Sequence, residues 1–149
     1  VKKLLILVGV VIVVGFGYWT ISPLFITKEV NEASPISTST PEMEGSMMAS
    51  GSFSGLAGHN GKGTAQLIET QEATFVRFQE DFEVTNGPDL FVYLGKDGSY
   101  DPEANLGALK GNVGSQNYAI PPEIEIDKYN EVWVWCRAFS VPFAVAPLR

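Results

Sequence analysis

A single cysteine and a single histidine among 149 residues exclude several kinds of site at once. One cysteine cannot form an intrachain disulfide, and one of each falls short of the four Cys or His ligands of a structural zinc site. The chain has no C-x-x-C-H, so covalent attachment of a c-type haem is excluded. Positive charge is also scarce. Ten Lys and Arg against seventeen Asp and Glu give a formal net charge of -7, and no basic run extends beyond Lys2-Lys3. Nucleic acid and anionic lipid headgroups both call for clustered Lys and Arg, so neither is an expected partner surface. No window sustains a 3.6-residue apolar period, and no internal repeat is visible.

What the chain does have begins at its start. Lys2-Lys3 precedes an uncharged apolar run that continues through Ile21. At about 1.5 Å per residue the run covers roughly the 30 Å hydrocarbon core of a bilayer. Tyr18 and Trp19 fall where an interfacial aromatic anchor would lie, and the positive flank should stay cytoplasmic. Residues 1–27 therefore read as a single transmembrane anchor, N-terminus inside, with everything after Pro23 extracytoplasmic. A cleaved signal peptide is the rival reading, but no A-x-A site follows the run. Residues 28–50 are rich in Ser, Thr, Pro and Glu and have little to bury, so they read as a flexible linker spanning on the order of 25 Å. Met43, Met47 and Met48 close it. They are expected to be plain linker residues, although thioethers could take Cu(I).

From Gly51 the turn signals become regular. Strands are expected at residues 52–54, 64–68, 90–94, 116–120, 132–138 and 143–148. Another is expected over 74–78 and 82–84, bent at Glu80-Asp81. Asn60-Gly61 is the best hairpin dipeptide, and residues 100–114 read as irregular. Short β-branched and aromatic runs between turns indicate an all-β domain over residues 51–149, an antiparallel β-sandwich or barrel.

Several short motifs recur in order along that domain. They are Gly51-Ser-Phe-Ser-Gly55, His59, Gly63-Thr64, Asp81-Phe82, Asn86-Gly-Pro-Asp-Leu-Phe-Val-Tyr-Leu94, Leu106-Gly-x-Leu-Lys-Gly111, Gly114-Ser-Gln-Asn-Tyr118 and Val132-x-Val-Trp-Cys136-x-x-Phe139. Together they resemble the DM-thirteen domain family. The resemblance implies an electron-transfer or redox-linked role centred on Cys136, as a free thiol or as a ligand to a group such as haem. It also implies a redox or cell-surface protein partner, and an accessory domain rather than a self-contained enzyme.

The residues themselves leave the role of Cys136 open. Strand alternation places it on the face of Val132, Val134 and Ala138, with Trp133, Trp135 and Arg137 on the other. A thiol buried on an apolar face is packing and poorly reactive. A reachable one is a redox group, a ligand or a handle for another chain. In the packing case the domain is a non-catalytic binding module. His59, in a Gly-rich turn, is the candidate second ligand for haem, with a plain turn residue as the alternative. No third residue is identifiable that would orient a Cys-His nucleophile pair. Asp89 is expected to cap its own turn, and Asp81, Asp97, Asp101 and Glu103 form only a weak Ca²⁺ pattern. Gln116 and Tyr118 are expected to fix a strand end. Trp133 and Trp135 are expected to form a second small core rather than an open ridge.

Overall fold

The computed structural model describes residues 2–21, 26–36 and 45–149; within the first helix the side chains of residues 5, 6 and 19–21 are not described. That helix, α1 (Lys2–Ile21), carries apolar side chains that are exposed wherever they are described, among them Leu4, Val13 and Phe16. Among the described residues no helix is long and apolar enough to cross a membrane. The helix is present, but the transmembrane anchor expected from the sequence is not supported.

The remainder is built from strands β1 (Ser46–Ser52), β2 (Ser54–Gly55), β3 (Gly61–Lys62), β4 (Thr64–Glu69), β5 (Thr74–Phe78), β6 (Glu83–Val84), β7 (Leu90–Lys96), β8 (Ser99–Ala108), β9 (Gln116–Ala119), β10 (Glu131–Cys136) and β11 (Val141–Pro147). One sheet has the order β1-β4-β5-β9 and a second the order β2-β11-β10-β7-β8, with β3-β6 as a small ribbon. Every ladder between named strands is antiparallel. Both large sheets end in edge strands, so the architecture is a sandwich and not a closed barrel.

The core lies between the two sheets. Alternation turns Ala65, Leu67, Val76 and Phe78 inward from one, and Val92, Leu94, Val132 and Val134 inward from the other. Phe78 is fully buried and meets the rings of Phe53, Phe82 and Tyr118 at centroid distances of 4.8, 4.5 and 5.1 Å. Each such ring contributes about 1.5–3 kcal/mol through burial.

Three sequence expectations are corrected. The tight hairpin turn is at Asp97-Gly98, where φ is +55° and +80°, a primed turn that suits the twist of β7 and β8. Asn60-Gly61 is not the turn. Ala57-Gly58 is, with φ of +50° and +81° and a His59 N–H bond to the Leu56 carbonyl at 2.9 Å. Of residues 100–114, expected as irregular, those up to Ala108 belong to a ten-residue edge strand, Ser99–Ala108, with two bulges against β7. Pro102 is tolerated there because an edge need not use every N–H. Finally, β6 does not continue β5: the Phe82 N–H closes a turn on Gln79, and β6 pairs with β3 instead.

The expected flexible linker is also corrected where it is described. Residues 45–50 are largely part of β1, which carries exposed Met47 and Met48, while Met43 lies outside the described residues. Residues 28–33 form a strap along the β9 end of the domain. Val30 N–H bonds the Val113 carbonyl and Glu32 N–H the Ser115 carbonyl, each at 2.9 Å. Arg77, only 5% exposed, donates from Nη1 to the carbonyls of Glu32 and Ala33 and to Asn117 Oδ1. Lys110 Nζ meets the Glu32 carboxylate at 2.7 Å, and Asn117 N–H donates to the same group. Burial pushes the Glu32 carboxyl up, but these bonds and the charges of Lys110 and Arg77 hold it below its ordinary value. A backbone-rich run with no apolar stripe finds its partners here in exposed loop amides and buried Arg77.

Candidate functional site

β10 carries the residue that composition singled out. Val132, Val134 and Cys136 face the core, each with no exposed surface. Cys136 is registered between Leu90 of β7 and Val141 of β11, so its sulfur is enclosed by the sandwich. The strand ends there. Residues 137–140 turn back, with Ser140 at φ +53°, so Ala138 does not continue the inner face and is exposed.

Arg137 leaves toward the other side, as alternation requires. Its guanidinium lies 3.5 Å from the Phe91 ring centroid, and its Nε donates to Asp89 Oδ2 at 3.3 Å. The Arg137 N–H also bonds the Asp89 carbonyl at 3.0 Å. Asp89, expected as a local cap, instead ties the turn before β7 to the end of β10. Half-exposed charges of this kind contribute at most about 1 kcal/mol, so the tie fixes geometry more than stability.

Beside this tie opens a cleft of about 440 Å³. Asn86, Pro88, Leu90 and Phe91 line one side, and Leu109, Lys110 and Gly111 the other. Leu90 is the residue registered against Cys136, so the thiol lies one strand away from the cleft's lining. The second wall hangs on Gln116, a buried side chain with every amide valence used. Its Oε1 accepts from Gly111 N–H at 3.0 Å and from the Tyr118 hydroxyl at 2.7 Å, while Nε2 donates to the Gly111 carbonyl at 2.7 Å. Tyr118 OH in turn accepts from Lys110 N–H at 3.1 Å. Burial pushes the Tyr118 phenol far up, so it stays a neutral donor. Gln116 and Tyr118 therefore hold a cleft wall rather than simply ending a strand, a role that the run Gln-Asn-Tyr does not reveal.

His59 is half-buried and lies outside the core cluster that holds Cys136. Its ring stacks on Phe143 at 3.6 Å and 11°, and it lines a separate recess with Asn60, Lys62 and Glu83. A haem held by Cys136 and His59 does not fit these residues, because the sulfur has no exposed surface and is closed in the core. Among the described residues no three His, Cys, Asp or Glu side chains converge as metal ligands. Asp81 accepts from Thr64 N–H and Oγ1, each at 2.9 Å. Asp101 accepts from Glu103 N–H and the Tyr129 hydroxyl at 2.9 and 2.8 Å. The weak Ca²⁺ pattern thus resolves into separate local contacts.

On the outer face of the five-stranded sheet the aromatic side chains form a cluster. Trp133 lies over Gly95, where a Cβ would collide with the indole, and donates from Nε1 to Glu131 at 2.9 Å. Trp135 stacks on Tyr100 at 4.2 Å and 28°, and Tyr100 meets Tyr93 edge-on at 5.0 Å. The expected second small core is real, with Trp133 and Tyr93 buried and Trp135 and Tyr100 half-buried at its rim. Tyr100 entered it unannounced, since residues 100–114 read as irregular and the pairing of β7 with β8 was not visible.

No curated protein and no solved structure matches the chain. A family model described as Electron transfer DM13 matches residues 52–148, which takes in Cys136, both walls of the cleft and the aromatic face. That match covers well over half of the sequence, and the chain belongs to the Electron transfer DM13 family.

Proposed function

We propose that the domain is an electron-transfer accessory module that works with a redox partner rather than as a self-contained enzyme. The observation that carries this reading is the family match over residues 52–148, joined to a cleft lined by the Asn86–Phe91 and Leu109–Gly111 motifs. A partner docked over that cleft would be one strand away from Cys136 on the inner side and close to the aromatic cluster on the outer side. Voltammetry of the full chain adsorbed on an electrode tests the reading. A reversible wave is expected, and its absence overturns electron transfer. If Cys136→Ala removes the wave, the thiol is the carrier.

A second reading keeps the domain as a binding module with Cys136 as core, and the enclosure of the sulfur favours it. A competent cleft partner without any wave would decide for it.

Localisation belongs to the proposal as well. The exposed apolar side chains of α1 support attachment to a membrane, and the positive Lys2-Lys3 flank favours a sandwich outside the cytoplasm. Protease added to intact cells should then digest the domain. Full protection until lysis would reverse the assignment.

A further inference from the structure

The groove that holds residues 28–33 is built as a recognition site for an extended peptide. Glu29 bridges Val113 in parallel register, and Val113 accepts from the Val30 N–H and donates to the Lys28 carbonyl. Two residues on, Ser115 accepts from the Glu32 N–H, and its Oγ donates to the Glu32 carbonyl at 3.0 Å. The Asn117 N–H, where the next rung would fall, donates to the Glu32 carboxylate at 2.7 Å, and the same carboxylate holds Lys110 Nζ. Main-chain pairing sets the direction of the segment, and the charged clamp sets its register. Gly111 and Gly114 supply the room, since a Cβ on either would collide with the carbonyl oxygen of Lys28 or of Val30.

The occupant is separable from the groove. Among the described residues none of the strap belongs to the hydrophobic core cluster, so its release opens no core. The groove keeps its shape through the sandwich: Gln116 holds Gly111 at both N–H and carbonyl, and Arg77 is tied to Asn117 Oδ1. An empty groove would nevertheless be costly, because two of the three described acceptors of the buried Arg77 Nη1 are strap carbonyls. The groove lies within residues 52–148 and the strap outside them. A groove that needs an occupant takes any chain that carries this segment, and a second copy carries it unchanged.

We propose that the groove joins two copies of the chain, each holding residues 28–33 of the other in place of its own strap. Every contact described above is kept in the exchange, which makes swapping an element a low-cost route to a dimer. Ile26 and Lys28 line the cleft beside Lys110, so each cleft is then completed by the second copy. Glu32 is the specificity-determining residue of the segment. The interface goes beyond the electron-transfer reading and does not depend on it.

Full chains in detergent micelles, labelled with donor or acceptor dye, test the exchange. Glu32→Ala keeps a sound groove and spoils the strap, whereas Lys110→Ala keeps a sound strap and weakens the groove. Mixing the two variants should raise energy transfer well above that of either alone, because the sound strap finds the sound groove in the other chain. Unlabelled peptide of residues 26–34 should reverse the rise, and the same peptide with Gln in place of Glu32 should need about tenfold more. Glu32→Gln keeps the shape of the side chain and serves in the mixture if Glu32→Ala fails to fold. Equal transfer in the mixture and in the separate variants overturns the proposal, since α1 is common to all of them. Transfer that the peptide leaves untouched overturns it too.

Discussion

Gln116→Ala is expected to lower the stability of the domain by about 3–5 kcal/mol. The side chain has no exposed surface, and its removal leaves the Gly111 N–H, the Gly111 carbonyl and the donor of the Tyr118 hydroxyl without their partner in the interior. Each buried group left without a partner costs about 1–3 kcal/mol, and a single-domain protein has only about 5–15 kcal/mol in all. Part of the cost would be recovered if water entered, which sets the lower end of the range. Gln116→Glu should do no better. It keeps the acceptor for Gly111 N–H and Tyr118 but loses the donor to the Gly111 carbonyl and risks burying a charge. Urea unfolding followed by tryptophan fluorescence reads the effect as a lowered midpoint at unchanged slope. Lys62→Ala, at an exposed pair with Glu83, is the control and should hardly move the midpoint. A loss below about 1 kcal/mol for Gln116→Ala would mean that the Leu109–Gly111 wall is held by something else.

The contrast between Gln116 and Cys136 marks what the sequence can and cannot say. Cys136 was legible because alternation is a local rule: Val132, Val134 and Cys136 share a face whatever the sheet does. The strands over residues 74–78 and 90–94 were legible for the same reason, being runs of β-branched and aromatic residues between turns. β8 was not, because Pro102, Gly107 and two acidic residues look like a loop until an edge position excuses them. Nor was the strap, whose ordering depends on Arg77 finding carbonyls more than forty residues away in sequence. Gln116 belongs to the same class, since its partners are backbone groups of a neighbouring loop and its residue type announces nothing. The candidate site was therefore visible in its thiol and its tryptophans, and hidden in the cleft walls and in Tyr100.

Alkylation of Cys136 should be slower in the native protein than in the unfolded chain by roughly 10³-fold or more. The sulfur has no exposed surface and sits between the Leu90 and Val141 positions of flanking strands, so a reagent must wait for the sandwich to open. If closing is faster than reaction, the slowing equals the opening equilibrium constant. For central strands that constant approaches the one for global unfolding. Iodoacetamide labelling followed by mass spectrometry at increasing urea gives the answer, and the labelling rate should rise with the same slope as equilibrium unfolding. Cys136→Ala should cost only on the order of 1 kcal/mol, as for a small hydrophobe removed from a core. A native thiol labelled within tenfold of the unfolded rate would place it at a surface and restore disulfide exchange as its chemistry. With the expected result, a sulfur that a small reagent cannot touch cannot exchange with a partner's disulfide either. Any electron leaving it must cross the closed strand by tunnelling. What a docked partner would meet directly is the other face of β10, where Trp135 and Tyr100 reach solvent.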